Sequence, residues 1–393
     1  VGYLSYECCR YLENIPAFQK PRTEPDALLF IFQNYLIYDH QLKRLKVISL
    51  NFDSLPVEEK LKQSQALLKK ALEVRTKNQS DSPSDSGKTG ASQKNSVVQS
   101  KDDTASAVLG LKDRHEVEKR FSQKISKIKK HIRDGDIFQC VLSESFQVHT
   151  EAKPLQIMQS IRKNSRTPYT YFLDAGEFCL MGASPEMLVR VRGPKVQTCP
   201  IAGTRQRGAT EKEDQRLAAQ LFASVKEKAE HAMLVDLSRN DIGRISNSKS
   251  VRVQQFMQLK KFSNVMHLTS LVEGELKNSL SAWDALFSCF PAGTLSGAPK
   301  IRAMEIISEL EDQGRGFYGG AIVAADFAGS LDSCIAIRSL LYRDGEVRFQ
   351  AGAGVVADSK ASREFQEILD KTKALRAALL DADPSLKNQG KKS

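Results

Sequence analysis

The 393-residue sequence lacks an apolar run of about 18 residues, the length that a transmembrane helix needs. It has no CxxC pair and no Cys/His cluster with zinc spacing, and its seven cysteines are odd in number. The first residues, VGYLSYECCRYLE, contain neither the basic nor the apolar segment of a secretory signal. We therefore expect reduced thiols in a cytoplasmic protein. Because Val1 is not Met and lies in a strand-like stretch, we also expect that the natural N-terminus is missing.

A dense basic stripe interleaved with aromatic residues is absent too, although the formal net charge is +11. The basic residues are spread along the chain, and part of the excess lies in solvated places such as the tail KNQGKKS. This pattern argues against nucleic acid as a partner. A positive field equally favours a dianionic small substrate.

Changes in composition divide the chain into four parts. Residues 76–106 are polar and Ser-rich, which predicts a disordered insertion because such a segment buries little apolar surface. We expect residues 1–75 to be the remnant of an N-terminal part whose strands contribute to the sheet. Residues 107–382 are expected to form the catalytic domain, and 383–393 a flexible tail. Strand-like and helical runs alternate irregularly, which predicts an α+β fold with largely antiparallel sheets.

Hydrophobic periodicity predicts the main elements. Two strands surround a turn at Asp39–Lys43, and SCIAIRSLLYR has the pattern of one strand. The predicted helices cover His115–Arg133, Asp214–Leu237, Ala282–Phe287, Pro299–Leu310 and Ser362–Leu380. The buried face expected for the first of them consists of Val117, Phe121, Ile125, Ile128 and Ile132, and the core stripe expected for the last consists of Phe365, Ile368, Leu369, Thr372, Leu375 and Leu379.

Two predicted helices carry carboxylates one turn apart. Glu364 and Glu367 precede Lys371 on the last helix, and Glu227 and Glu230 form a similar pair. Spacing alone favours an exposed Glu–Lys ladder. Two such pairs also fit a Mg²⁺ site, because Mg²⁺ takes few protein carboxylates and completes its octahedron with water and substrate.

Other stretches suggest anion binding. AGTLSGAPKIRAMEII leads into a helix N-terminus, where backbone N–H groups and the hydroxyls of Thr294 and Ser296 provide a natural anion seat, although a glycine-rich loop on its own favours a mere tight turn. Arg338 is a charge among apolar residues and needs an anionic partner. His267 is equally a core histidine or a proton donor.

Several longer motifs carry a family resemblance. They are PIAGTRQRG (Pro200–Gly208), EHAMLVDLSRNDIGRI (Glu230–Ile245), VMHLTSLVEG (Val265–Gly274), FPAGTLSGAPKIRAMEII (Phe290–Ile307), YGGAIV (Tyr318–Val323) and QAGAGVVADS (Gln350–Ser359). In this order they resemble the chorismate-utilising enzymes, and among these the anthranilate synthase branch. The resemblance implies two facing, mostly antiparallel β-sheets with outer helices and an active site in the cleft between them.

The resemblance also implies the roles of individual residues. Mg²⁺ would be held by Glu230 and Glu367, supported by Glu227 and Glu364. Substrate would be bound by Tyr318, Arg338, Ala351, Gly352, Ala353, Gly354, Ala202, Gly203 and Thr204. His267 and Thr294 would lie near the departing ring hydroxyl, which needs a proton donor. Lys371 is expected to support an anion, and Gln139 to lie where the nucleophile attacks.

Two residues distinguish branches of the family. Gln139 stands at the position where the water-using relatives carry a Lys that activates water. An amide cannot deprotonate water, so ammonia is the expected nucleophile. Ala202 stands where aminodeoxychorismate synthases usually carry Lys. The expected function is conversion of chorismate and ammonia to anthranilate and pyruvate. The alternatives are an aminodeoxychorismate synthase component and a non-catalytic homologue.

The sequence has no nucleophilic Cys in a GxCxG turn. We therefore expect a separate glutamine amidotransferase subunit to supply the ammonia, in a hetero-oligomer.

Overall fold

The protein is described from a computed structural model, which covers residues 1–15, 24–52, 55–80, 114–165, 167–262 and 265–386. The helices are α1 (Val57–Ser80), α2 (Arg114–Arg133), α3 (Pro154–Asn164), α4 (Glu211–Ala223), α5 (Val225–Ile245), α6 (Ala282–Cys289), α7 (Lys300–Leu310) and α8 (Ala361–Ala382), with 3₁₀ turns at Tyr6–Tyr11 and Gly293–Leu295. The strands are β1 (Gly2–Leu4), β2 (Ala27–Leu29), β3 (Asn34–Asp39), β4 (Arg44–Ser49), β5 (Gln139–His149), β6 (Tyr169–Asp174), β7 (Cys179–Ser184), β8 (Met187–Arg192), β9 (Lys195–Thr198), β10 (Ile201–Gln206), β11 (Arg252–Lys261), β12 (Val265–Glu275), β13 (Gly297–Ala298), β14 (Ala321–Ala325), β15 (Leu331–Ile335), β16 (Ser339–Arg343) and β17 (Glu346–Val355).

Two large sheets face each other. One has the order β10-β12-β9-β8-β15-β14-β1-β2, with β11 also paired to β12, and the other has the order β13-β5-β17-β16-β7-β6. The hydroxyl of Tyr169 on β6 donates to Asp332 on β15 at 2.9 Å, so the two sheets are in contact. The pairs with a defined register in both sheets are antiparallel, for example β5 with β17 and β8 with β15. The predicted α+β class is confirmed.

The N-terminal hairpin belongs to a separate compact unit, which comprises residue 1 and the described residues from 29 to 80, whereas the other described residues form the second unit. β3 pairs with β4 in a two-stranded sheet of its own, and Asp39 faces Arg44 across the predicted turn. Asp39 Oδ1 accepts hydrogen bonds from the N–H groups of Gln41 and Leu42, as turn-initiating Asp residues do. Of the predicted N-terminal strands, β1 and β2 therefore join the large sheet and β3 and β4 do not.

Helix α1 continues to Ser80. The prediction of disorder is therefore wrong for residues 76–80, while the rest of the predicted insertion, 81–106, and most of the tail, 387–393, lie outside the described residues. No helix of the described part of the chain has the length and apolarity required to cross a membrane.

The apolar core lies between the six-stranded sheet and the helices that cover it. On α2 the predicted face is buried at Val117, Phe121, Ile125 and Ile128, and Ile132 packs against the same cluster. The stripe predicted for the last helix, from Phe365 to Leu379, is buried as well. The rings of Phe121 and Phe365 lie 5.6 Å apart and join the two helices. Periodicity therefore identified this core correctly.

Two predicted elements are divided in the structure. The helix predicted over Asp214–Leu237 is two helices, because Ser224 adopts an extended conformation (φ −72°, ψ 109°) and caps α5 by accepting from the N–H of Glu227. SCIAIRSLLYR is not one strand: β15 belongs to the nine-stranded sheet and β16 to the six-stranded sheet. Arg338, just before β16, has a positive φ of 53°. The chain thus crosses between the sheets at Arg338.

Candidate active site

Arg338 lies at the crossing point between the sheets. Its guanidinium donates to the backbone carbonyl of Lys371 on α8 at 2.6 Å. Burial lowers the pKa of Arg338, while the nearby Tyr318 and Glu367 act in the opposite direction. Within the described part of the chain, no carboxylate lies within ion-pair distance of Arg338. A buried guanidinium in this state favours the approach of an anion, because desolvation without a charged partner is costly.

The four predicted metal-site carboxylates come from two helices that share one cleft. Burial raises the pKa of Glu230 on α5, and the charges of Glu227 and of Glu367 on α8 raise it further. Burial and Glu367 likewise raise the pKa of Glu364, against a hydrogen bond from Ser359. Mutual repulsion of this kind is relieved by a cation.

One carboxylate of each pair, Glu227 or Glu367, already contacts a positively charged side chain. Arg205 Nη1 lies 3.2 Å from Glu227 Oε1, and Lys371 Nζ lies 2.8 Å from Glu367 Oε1. Over the described ranges, no three His, Cys, Asp or Glu side chains are close enough to hold a metal ion together. A cation bound at these residues would therefore take only one or two protein carboxylates and fill its other positions with water and substrate, which is the coordination that Mg²⁺ tolerates.

His267 projects from β12 next to the predicted substrate loop of β10. A bulge at Gly203 (φ 67°) separates the pairs Ala202–Leu268 and Thr204–His267. His267 Nδ1 lies 3.0 Å from Thr204 Oγ1 and 3.3 Å from the carbonyl oxygen of Gly203. Burial lowers the pKa of His267 to about 4, although the Gly203 hydrogen bond opposes this, and Arg338 and Lys371 lower it further. The imidazole is therefore neutral near pH 7.

The two hydroxyls of the predicted anion seat, those of Thr294 and Ser296, both have acceptors within the protein. Ser296 is fully buried and donates to the carbonyl of Ala292 at 3.0 Å. Thr294 Oγ1 donates to Glu186 Oε1 at 3.0 Å. Helix α7 starts at Lys300, with Pro299 as its N-cap and no side-chain cap. Both hydroxyls are thus directed at protein acceptors.

Glu186 is the site residue that sequence reasoning missed. It is buried in the turn between β7 and β8, and burial raises its pKa to about 8, although hydrogen bonds from Thr294 and from the backbone of Ile201 and the charge of Lys371 oppose the shift. It borders a cavity of about 30 Å³ that Thr294 and Leu237 also line. The one sequence signal was a carboxylate in a short Ser-Pro-Glu turn between two apolar strands, which is normally a solvated position.

Glycines bring strand β17 close to three predicted site residues. A Cβ added to Gly352 would lie 2.9 Å from Tyr318 Oη, and one added to Gly354 would lie 2.5 Å from Gln139 Nε2. Gln139 Nε2 donates to Glu230 Oε1 at 3.4 Å, and Gln139 Oε1 is buried with no hydrogen-bond partner among the described residues. Ala351 and Ala353 point their methyl groups into the apolar core, so they present only backbone to the cleft.

Lys371 connects these groups. Its Nζ donates to the carbonyl of Gly352 at 2.7 Å. Burial is the main cause of the pKa shifts of Glu186, Glu230, Glu364 and His267, and the positive charge of Lys371 has a smaller effect on each of these pKa values. Carboxylates, Arg338, His267 and the β17 backbone therefore lie around one cleft, and their roles remain predictions. The cleft combines a buried cation, a carboxylate cluster and a buried carboxyl group that is protonated at pH 7.

Comparison with known proteins gives consistent results. A family model described as chorismate binding enzyme matches residues 1–377. The protein named anthranilate synthase component 1 from Acetivibrio thermocellus is 40% identical over 390 residues, which are 97% of this chain and 75% of that protein.

Solved structures are similar as well. The crystal structure of anthranilate synthase component I from Streptococcus pneumoniae TIGR4 superposes with a TM-score of 0.79 at 36% identity, covering 96% of this chain and 80% of that one. The menaquinone-specific isochorismate synthase from Escherichia coli gives a TM-score of 0.62 at 26% identity, covering 67% of this chain and 61% of that one.

Proposed function

The chain belongs to the family of chorismate binding enzymes, and on this premise we propose that it is the chorismate-converting component of an anthranilate synthase. The reaction takes chorismate and ammonia to anthranilate, pyruvate and water, in tryptophan biosynthesis. Ammonia adds at the ring carbon next to the one that bears the carboxylate, and the ring hydroxyl leaves. The proton at the aminated carbon is then lost as pyruvate departs.

The observation that carries the proposal is the pairing of Arg338 with the carboxylate cluster on α5 and α8. Chorismate has two carboxylates, so it needs two different anion sites. Arg338, with Tyr318 and the backbone of β17, suits the enolpyruvyl carboxylate, because the guanidinium is partly buried and desolvated without a carboxylate partner among the described residues. The ring carboxylate would face the acidic side of the cleft, which repels it in the absence of a cation.

Mg²⁺ is the cation that we propose there. Glu230 and Glu367 would bind it, with Glu227 and Glu364 nearby. When bound, it would neutralise the ring carboxylate and help to fix its orientation. The convergence of neighbouring carboxylates that raise the pKa of Glu230 and of Glu364 supports this assignment.

The leaving hydroxyl requires a proton, and two side chains are candidates to donate it. The pKa of Glu186 is about 8, so this carboxyl group carries a proton at pH 7. The pKa of His267 is about 4, so its ring has no extra proton to give at that pH. We therefore propose Glu186 as the acid, held by Thr294, and His267 as a neutral hydrogen-bonding group.

The side chains of Gln139 and Ala202 indicate which nucleophile the protein uses. The amide of Gln139 lies beside Glu230 and cannot act as a base toward water. The methyl group of Ala202 cannot attack the ring. Both favour ammonia at the anthranilate position, supplied by a separate glutaminase subunit. A cytoplasmic location agrees with the seven free thiols, of which six are buried.

The test is to incubate the folded protein with chorismate, Mg²⁺ and a high concentration of ammonium, and to separate the products with fluorescence detection. Anthranilate with equimolar pyruvate would support the proposal. An aminated product without pyruvate would indicate that the protein is an aminodeoxychorismate synthase component instead. The absence of turnover, together with no rise in melting temperature on adding Mg²⁺ and chorismate, would identify a non-catalytic homologue.

A matched pair of variants tests the anion site. Arg338→Gln should raise the KM for chorismate, whereas Arg190→Gln should not, because Arg190 already has a carboxylate partner, Asp332, at 2.8 Å.

A further inference from the structure

A second buried guanidinium lies at the start of the turn that carries Tyr318. Arg315 follows α7 and is 3% exposed. Its guanidinium makes two hydrogen bonds of 2.8 Å with Glu311, one from Nε and one from Nη2. The other N–H groups donate to the carbonyls of Leu295 at 2.5 Å and Val141 at 2.7 Å. One planar group therefore holds the 3₁₀ turn of Thr294 and strand β5 at once.

The same guanidinium lies between two aromatic rings. Its central carbon is 4.5 Å from the ring centre of Tyr6 and 5.8 Å from that of Tyr318. The backbone N–H of Tyr318 donates to the carbonyl of Arg315 at 3.2 Å. Arg315 thus contacts Tyr318 through both its side chain and its main chain.

The N-terminal segment holds this turn from the other side. The carboxylate of Glu7, which is fully buried, accepts from the N–H of Arg315 at 2.6 Å and from the N–H of Gly316 at 3.2 Å. The N–H of Tyr6 donates to the carbonyl of Gly316 at 2.8 Å. Two carboxylates and one guanidinium therefore define the path of the turn that leads to Tyr318.

The partner of Arg315 extends the network to the strand that lines the cleft. Glu311 Oε1 accepts from the N–H of Ser143 at 2.9 Å and from its hydroxyl at 2.6 Å. Gln350, which precedes Ala351 on β17, donates to the same hydroxyl at 2.8 Å. The Glu311–Arg315 pair therefore connects β5, β17, the Thr294 turn and the Tyr318 turn.

Replacing a buried ion pair with apolar residues of similar volume is often neutral or stabilising, so its presence is weak evidence for a role in stability. In this pair, the hydrogen-bonding capacity is used on segments that border the cleft. We infer that Arg315 is a positioning residue for the proposed reaction, which holds the Tyr318 ring where it meets the substrate carboxylate. This inference rests on the proposed function.

The experiment compares Arg315→Lys, Tyr318→Phe and the double variant by steady-state kinetics with chorismate, Mg²⁺ and ammonium. Lys keeps the positive charge but lacks the planar, branched N–H donors of the guanidinium, so the turn that carries Tyr318 should shift. Because a misplacement of about 1 Å can cost about 10²-fold, we expect Arg315→Lys to raise the KM for chorismate by about 10-fold to 10²-fold, with a smaller change in kcat. Since Arg315 acts through Tyr318, the double variant should lose less than the product of the two single losses.

Two further variants separate positioning from folding. Arg315→Gln combined with Glu311→Gln removes both charges of the pair, so the Glu311 carboxylate is not left buried without its partner, and it carries the test if Arg315→Lys does not fold. It should raise KM more than Arg315→Lys does. Arg190→Gln is the matched loss of an Arg–Asp pair outside the network, and it should leave KM unchanged.

The outcomes are distinguishable. A lower melting temperature with an unchanged KM in the Arg315 variants would reduce Arg315 to a structural residue and overturn the inference. Multiplicative losses with Tyr318→Phe would do the same. A wild-type protein that does not convert chorismate would overturn the proposed function, and the inference with it.

Discussion

The two faces of strand β17 differ in chemistry although they alternate along the same residues. Val347, Phe349, Ala351, Ala353 and Val355 point into the apolar core under the helices. The residues between them face the other way, where Gly352 approaches Tyr318 and Gly354 approaches Gln139 and Glu230. One face therefore packs side chains into the core, while the other lets Tyr318 and Gln139 come close to bare backbone.

The difference extends to charge. The core face is apolar, whereas the cleft contains Glu186, Glu230, His267 and Arg338. Burial raises the pKa of the two carboxyl groups and lowers the pKa of His267 and Arg338, so it favours the neutral form of each group. Such groups reduce the stability of the empty protein and are typical of functional sites. Substitutions on the core face should therefore change stability, and those on the cleft face should change activity.

The largest effect should come from the cleft. Glu186→Gln keeps the size of the side chain and removes the proposed acid, so kcat at pH 7 should fall by about 10² to 10⁴. In the wild type, kcat should decrease as the pH rises through about 8, where Glu186 loses its proton, and the variant should lack this decrease. The measurement is kcat from pH 6 to 9.5 at a constant concentration of free ammonia.

The companion variant is His267→Ala, for which we also expect a loss of about 10² to 10⁴, because the proposed role of the neutral ring is to hydrogen-bond near the departing hydroxyl. A His267→Ala variant that lacks the decrease near pH 8, beside a Glu186→Gln variant that retains it, would assign the proton to His267.

On the core face, Phe365→Ala removes a buried ring that packs on Phe121. The free energy of unfolding should decrease by about 3–5 kcal/mol because a large cavity remains. The KM of the folded fraction should stay at the wild-type value. Denaturant titration and kinetics at low temperature test this, and a raised KM with normal stability would contradict the division between the two faces.

At the edge of the cleft, Glu367→Gln removes one charge of the proposed Mg²⁺ site. The Mg²⁺ concentration for half-maximal activity should rise by about tenfold or more, in the range seen when support of a metal site is lost. Glu273→Gln is the control, because Glu273 pairs with Lys195 outside the cleft. An unchanged Mg²⁺ response in Glu367→Gln would move the cation elsewhere.

The smallest effects should come from adding or removing a single methyl group at two neighbouring residues of β17, Gly354 and Ala353. Gly354→Ala places a Cβ 2.5 Å from the flexible end of Gln139, which must move, so KM should rise by about tenfold. Ala353→Gly removes a methyl group from the core face and should cost about 1 kcal/mol of stability without changing KM. Equal effects of the two changes on KM would contradict the separation of the faces.

Much of the fold follows from local patterns. The apolar stripe of α8 and the face of α2 repeat with helical period, and both are buried as predicted. Local patterns failed where a single residue interrupts an otherwise regular run. Ser224 divides one predicted helix because its hydroxyl caps α5, and Arg338 divides one predicted strand because the chain passes there from one sheet to the other.

The sequence by itself determined the apolar faces, the carboxylate pairs and, through its motifs, the family. These properties depend on residues close together in the chain or on runs of consecutive residues. Only the tertiary structure decided which groups meet. Thr294 reaches Glu186 across 108 positions, and Arg338 reaches Lys371 across 33. The pKa of Glu186 likewise depends on burial between elements that are distant in sequence, because desolvation is a property of the packed protein and not of a short segment.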